Sequence, residues 1–171
     1  MVTAYRDGQV TARSARRAEG YTESSSENAD VQGVYPGDVV IHGLDGFAGA
    51  IGMAETGGVC SPVYHVCTPV AGGDAAYLAR MLRVLAVDGY LELFSTSTRE
   101  RAVDFRNWDL FGDIPIPHVN SGEQRRVGAI LRALRPLSAA ADRSVALLRE
   151  RRHAVLSAAI NEKTPLVGVV G

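Results

Sequence analysis

The chain has 171 residues, of which 46% are hydrophobic and 22% charged, and its formal net charge is −1. This composition is typical of a folded protein with one core and argues against disorder along the whole chain. No stretch approaches the roughly 18 consecutive apolar residues of a membrane span, and the polar start around Tyr5 lacks the apolar region of a signal peptide, so we expect a cytoplasmic protein without membrane attachment.

The small net charge hides two oppositely charged parts. Residues 1–122 carry 9 Arg and Lys against 15 Asp and Glu, which gives −6, whereas residues 123–160 carry 8 Arg against 3 acidic residues, which gives +5. Proteins that bind DNA usually present a positive surface, so the acidic first part counts against strong DNA binding by that part alone. Any cationic surface within residues 1–122 must therefore be local.

The first predicted elements are a loop and a hairpin. The polar run YTESSSENAD at 21–30 has no apolar period and predicts a loop. A turn at 35–38 leads into the β-branched run 39–41, and the Gly-rich stretch 43–49 leads into a second apolar run at 50–53. This order predicts a β-hairpin.

A third strand is predicted over residues 59–67, which are rich in β-forming side chains, with Pro62 at a sheet edge or a bulge. Both cysteines, Cys60 and Cys67, lie in this segment, and we expect free thiols because nothing else marks a disulfide scaffold. Together with His65 they offer three metal ligands. Alternation along one strand would send Cys60 to the opposite face from the other two, so no metal site is predicted.

A helix is predicted next, because Asp74 is a good N-cap and apolar residues follow it at helical spacing. These residues are Leu78, Met81, Leu82 and Leu85. The stripe that they form predicts packing of the helix against the sheet. After a polar loop at 95–99, residues 108–111 and 114–117 predict a short returning strand that proline ends. The fold class is therefore α+β, with a small mixed domain over residues 1–118.

A long helix is predicted over residues 119–162, followed by a tail at 163–171. Asn120 and Ser121 can cap it, Gln124 lies at the capping-box distance from Ser121, and helix-forming residues continue almost to residue 160. Unbroken, the part of this helix from residue 123 to residue 160 would be about 57 Å long. An interior proline costs about 3 kcal/mol, so Pro136 predicts a kink or a break.

One face of the long helix is apolar at a seven-residue spacing, which predicts a coiled-coil type of helix that contacts another subunit. The residues of this predicted interface are Val127, Ile130, Leu131, Leu134, Leu137, Ala141, Val145, Leu148 and Val155. The width of the face favours an antiparallel partner helix. The alternative is that the helix folds back on residues 1–118, because an apolar face does not identify its partner.

Several blocks of sequence occur in an order that we recognise. They are YRDGQVTARS at 5–14, GDVVIHGLDGFAGAIGM at 37–53, GGVCSPVYHV at 57–66, DFRNWDLFGDIPIPHVNSGEQRRVGAIL at 104–131 and LLRERRHAVLSAAI at 147–160. Together they resemble part of the specificity (S) subunit of type I restriction-modification enzymes, over roughly residues 5–162. The junction from IPIP to EQRR is the most specific piece.

The resemblance implies a subunit without catalytic residues, cofactor or metal. In that family a target-recognition domain reads one half of a split DNA target, and a long helix sets the spacing of the halves and docks the methyltransferase subunits. Intact members carry two of each, whereas this chain has one of each and a shortened start, which implies missing first strands and an unpaired sheet edge.

The implied partners are double-stranded DNA, the methyltransferase subunits and, through them, the restriction subunit. A second copy of this chain or another S chain would pair through the long helix. The alternative function is that of a remnant that reads no DNA and acts only as a structural or regulatory fragment bound to the other subunits.

Candidate DNA contacts lie in two polar stretches, for which a solvated loop is the alternative. The first stretch contributes Arg6, Arg13, Arg16 and Arg17, and the second contributes Ser97, Thr98, Arg99 and Arg101. His42 and the glycines after it could let DNA approach the backbone, although a tight turn explains these glycines and is the interpretation that we favour. The chain contains no Walker A, GxGxxG or GxSxG motif, so no catalytic site is predicted.

Overall fold

The computed structural model describes residues 1–16, 30–94 and 105–161. The chain divides into two compact units, Met1–Leu131 and Arg132–Gly171. Small sheets and short helices make up the first unit, and a long C-terminal helix runs into the second, so the prediction of mixed α and β structure is confirmed. No described helix combines the length and the apolar character that crossing a membrane requires.

Within the described residues, seven short strands form three antiparallel sheets. In chain order they are β1 (Val2–Ala4), β2 (Val10–Ala12), β3 (Gln32–Val34), β4 (Val39–His42), β5 (Ile51–Met53), β6 (Gly58–Cys60) and β7 (Tyr64–Cys67). Strand β1 pairs with β2, β3 pairs with β6, and β4 lies between β5 and β7. The predicted β4–β5 hairpin is confirmed, with Ile41 opposite Ile51.

The prediction of a single strand over residues 59–67 is wrong. This segment forms two strands, β6 and β7, that belong to different sheets. Pro62 lies in the turn between them, which the amide of Tyr64 closes by donating to the carbonyl of Ser61 at 3.2 Å. Proline has no N–H to donate to a strand ladder, so the chain turns here and changes sheets.

Strand β4 separates two hydrophobic clusters. Val39 and Ile41 belong to one cluster, which also contains Leu91, whereas Val40 belongs to the other, which also contains Cys60. Successive side chains of a strand point to opposite faces, so both faces of β4 are covered. Val39, Val40 and Ile41 are each at most 2% exposed.

The predicted amphipathic helix is α1 (Ala75–Val87), and Asp74 caps it by accepting a hydrogen bond from the amide of Tyr77 at 3.1 Å. Leu78, Leu82 and Leu85 pack against the first cluster, as the stripe predicts. The side chain of Met81 is half-buried.

The predicted returning strand at 108–117 is wrong. Trp108–Gly112 forms a short helix, α2, because the Asn107 side chain caps it by accepting from the amide of Asp109 at 3.0 Å. Residues 114–117 form no strand, and the prolines among them cannot donate to a ladder. The Tyr90 hydroxyl donates instead to the carbonyl of Pro115 at 2.7 Å.

The long helix is α3 (Ser121–Asn161). Asn120 caps it by accepting from the amide of Glu123 at 3.0 Å, but the predicted capping box of Ser121 with Gln124 is not formed. The Gln124 amide group instead donates to the carbonyl of Val119 and accepts from the amide of Asp74. A side chain that makes both contacts is not available to cap the helix.

Residues 121–131 of α3 belong to the first unit, where Gly128 is buried against α1. A Cβ atom at Gly128 would overlap the carboxylate of Asp74. The helix therefore meets the N-terminus of α1 at a position where only glycine fits. Pro136 lies inside the helix, so the predicted break is wrong, whereas the alternative prediction of a kink stays a prediction. A missing N–H removes one hydrogen bond from a helix of 41 residues, which the rest of the helix tolerates.

A substitution at Gly52 tests how the β1–β2 hairpin packs on β5. A Cβ atom at Gly52 would overlap the carbonyl oxygen of Gly8 and crowd Val10. We expect Gly52→Ala to lower the free energy of unfolding by about 1–3 kcal/mol, the usual cost of overpacking, in urea denaturation followed by circular dichroism. Gly57→Ala is the matched control, since a Cβ there has its nearest neighbour at 3.5 Å. Equal effects of the two variants would contradict this packing.

Candidate functional site

The N-terminal arginines lie on and beside the β1–β2 hairpin, each held by a side chain of the same unit. Arg6 forms an ion pair with Asp45 at 2.7 Å. Arg13 donates through Nε to the hydroxyl of Thr3 at 2.9 Å. Arg17, predicted with them, lies outside the described residues.

Arg16 has two partners. Its guanidinium group lies 4.3 Å from the centroid of the Tyr5 ring and forms an ion pair with Asp7. The Arg6 side chain is 66% exposed, and surface ion pairs of this kind contribute only about 0–1 kcal/mol. Arg6 can therefore exchange its carboxylate partner for a phosphate at small cost.

His42 closes the turn that follows β4. Its Nδ1 accepts hydrogen bonds from the amides of Leu44 and Asp45 at 3.1 and 3.2 Å, which requires Nδ1 to be unprotonated. Burial lowers the pKa of His42, while the nearby Asp45 carboxylate acts in the opposite direction and Arg13 and Arg6 add to the lowering. His42 is thus positioned as a neutral turn residue.

The glycines after His42 also have intramolecular reasons. A Cβ atom at Gly43 would overlap the carbonyl of Val63. Gly49 has a φ of 89°, a left-handed conformation that favours glycine. The turn interpretation thus explains these glycines without a ligand.

The second predicted group of DNA contacts, Ser97, Thr98, Arg99 and Arg101, lies outside the described residues. The two predicted groups are therefore not brought together by any described contact. Sequence reasoning also assigned no role to Asp45, which pairs with Arg6 across 39 residues of chain. No local pattern signals a pair so far apart in sequence.

An apolar cavity of about 190 Å³ lies between β4, β7, α1 and α2. Ile41, Leu78 and Leu91 contribute to its wall, and Trp108 lies at its edge with 51% exposure. Burial, with a smaller effect from Asp38, raises the pKa of the Cys67 thiol in this wall to about 11. The thiol is therefore protonated at neutral pH, a form much less nucleophilic than the thiolate.

The two cysteines lie on strands of different sheets, Cys60 on β6 and Cys67 on β7. Both are free, and Cys60 is buried in the second cluster. The prediction placed them on opposite faces of one strand, which is wrong, since no single strand contains both. Within the described ranges no group of three His, Cys, Asp or Glu side chains is placed to hold a metal ion.

The predicted interface residues of α3 divide between the two units. Val127 and Leu131 are half-buried, whereas the other seven are exposed. Leu134, Leu148 and Val155 are 52%, 64% and 68% exposed. Leu147 and Leu156, which the seven-residue spacing does not select, are exposed as well, so the apolar surface of the second unit is wider than predicted.

Comparisons with known proteins identify no relative: no family model, no curated protein and no solved structure matches the chain.

The protonation of His42 is expected to affect stability. A pKa below that of the unfolded chain means that the unfolded state binds the proton first, so the stability present above about pH 6.5 is lost as the pH falls towards the folded-state pKa. In His42→Asn the amide oxygen can accept the same backbone hydrogen bonds without titrating. Urea denaturation at several pH values should show a smaller loss of stability on acidification for the variant than for the wild-type protein. Parallel curves would contradict this role.

Proposed function

We propose that this chain is the DNA sequence-recognition subunit of a type I restriction-modification system. In this proposal the first unit reads one half of a bipartite duplex target, and α3 docks the methyltransferase subunits. The proposal draws on the ordered sequence blocks from Tyr5 to residue 162 together with the exposed apolar face of α3. The exposed face is the observation that carries it.

The apolar face of α3 is costly to leave in water. Covering a leucine or valine side chain contributes about 1.5–3 kcal/mol relative to leaving it exposed. Leu148 follows Leu134 by fourteen residues and Val155 follows Leu148 by seven, and both intervals return to nearly the same side of a helix. A contiguous apolar surface on a soluble protein is typical of a protein interaction site.

The arginines of the β1–β2 hairpin support the DNA part of the proposal. Cations that contact phosphates provide most of the affinity for DNA, and side chains that reach base edges provide discrimination. Arg6 and Arg16 are available for the first task because their partners are exposed carboxylates. Methyl transfer and DNA cleavage are assigned to partner subunits, and the protein would act in the cytoplasm.

Reading of DNA is tested by co-expressing the chain with the methyltransferase subunit and selecting duplexes from a random library. We expect an enriched split motif, and a palindromic one if two copies of this chain assemble, since a homodimer imposes twofold symmetry on its target. Co-purification of the two proteins without an enriched motif, and without a change in the methylation pattern, would instead support the remnant that reads nothing.

The docking surface is tested by placing charges on it. We expect Leu134→Lys combined with Leu148→Lys to weaken assembly with the partner helix or subunit by at least about 100-fold, because two lysines would be buried in an apolar interface. Assembly is measured by analytical ultracentrifugation, alone and with the methyltransferase subunit.

Ala146→Lys is the matched control for these two changes. Ala146 is exposed and lies on the opposite side of the helix from Leu148 at 3.6 residues per turn. It should leave assembly unchanged. A wild-type chain that stays monomeric and ignores the methyltransferase subunit at every concentration would contradict the docking role of α3 and favour the alternative in which the helix folds back.

A further inference from the structure

The cationic surface formed by the arginines of the β1–β2 hairpin extends to α1. Arg83 donates to the carbonyl oxygen of Arg6 through both Nε, at 3.2 Å, and Nη2, at 2.9 Å. These two bonds fix the plane of the Arg83 guanidinium group beside the hairpin turn. A contact between residues 77 positions apart thus joins the helix to the candidate site.

Arg80 lies on α1 within electrostatic reach of Arg83. Burial, and to a smaller extent the charge of Arg80, lower the pKa of Arg83, while Asp7 acts in the opposite direction. The Arg80 side chain is exposed and, among the residues that the structure describes, makes no hydrogen bond or ion pair. Two like charges three residues apart on a helix destabilise it by a few tenths of a kcal/mol. A small loss of helix stability from neighbouring like charges is typical of functional sites.

Ion pairs and charge interactions connect the charged residues of this cationic surface to one another. Its cations are Arg6, Arg13, Arg16, Arg80 and Arg83, and its carboxylates are Asp7 and Asp45. Among the described residues that these interactions connect, five arginines against two carboxylates give a formal charge of +3, whereas residues 1–122 have a net charge of −6. This locally positive charge attracts an anionic partner to this side of the first unit.

We propose that these five arginines form one surface that binds the phosphates of a DNA backbone, an inference that rests on the proposed function. A guanidinium group presents paired N–H donors that match phosphate oxygens. Arg80 and Arg6 contact phosphates directly, and Arg16 joins them when it leaves Asp7. Arg83 is a positioning residue, since its bonds to the Arg6 carbonyl hold the hairpin turn against α1.

Phosphate contacts orient a protein on the duplex and carry no sequence information themselves. The surface would therefore set the docking angle of the first unit, while other side chains read the bases. An extended backbone suits it better than a single small anion, because its cations come from two separate elements, the hairpin and α1.

The experiment measures binding of the full chain to a fluorescent random-sequence duplex by anisotropy over a range of salt concentrations. Each phosphate contact contributes about 0.9 to the slope of log K against log salt. We expect Arg80→Gln and Arg6→Gln each to reduce that slope by about 0.9 and to weaken low-salt binding for all sequences alike. Glutamine is a good helix former, so the fold of α1 is kept.

Arg149→Gln, an exposed arginine of α3, is the matched control and should behave as the wild-type chain. Three outcomes would overturn the proposed phosphate-binding surface. They are unchanged slopes in the Arg80 and Arg6 variants, an equal loss of slope in the Arg149 variant, and no duplex binding by the wild-type chain at the lowest salt. Equal weakening of binding to poly-glutamate would indicate an acidic protein partner and overturn it too.

The two proposals fail in different ways. If the variants keep their slopes while the selection with the methyltransferase subunit still yields a motif, the surface is wrong and the recognition function stands. If the variants lose slope but the selection yields no motif, the surface stands and sequence reading is wrong.

Discussion

The first unit depends on the burial of β4 from both sides. Val39 and Ile41 pack into one cluster and Val40 into the other, so the strand is the wall shared by two small cores. Each core alone is modest for a unit of this size, and a shared strand joins them into one structure. Hydrogen bonds to β5 on one edge and β7 on the other satisfy its backbone, as burial requires.

The same strand positions the candidate DNA-contacting residues. Where β4 ends, His42 closes a turn that places Asp45 beside Arg6. The backbone carbonyl of Arg6 accepts a hydrogen bond from the guanidinium group of Arg83. The hairpin, the turn and α1 are thereby tied to the best-packed strand of the unit. Arginines held in this way lose less conformational freedom on meeting a phosphate than arginines on a free loop.

The sequence was sufficient where a pattern is local. Asp74 before an apolar stripe predicted α1, and alternating β-branched runs around a Gly-rich turn predicted the β4–β5 hairpin. Pro62 indicates a sheet edge or a bulge, but whether a chain continues or changes sheets there depends on tertiary pairing. The β1–β2 hairpin was missed although Gly8 marks its turn, and the contact of Arg83 with Arg6 has no local signature at all. Membership of the S-subunit family stays a prediction.

One carboxylate serves two helices. Asp74 caps α1 and also fills the space in which any side chain at position 128 of α3 would have to lie. A larger residue at 128 therefore requires the Asp74 carboxylate to move or residue 74 to become smaller, and either change disturbs the cap. In any set of relatives that share this structure, residues 74 and 128 should therefore vary together. A change at one position alone should mark a chain in which the start of α3 packs differently against α1.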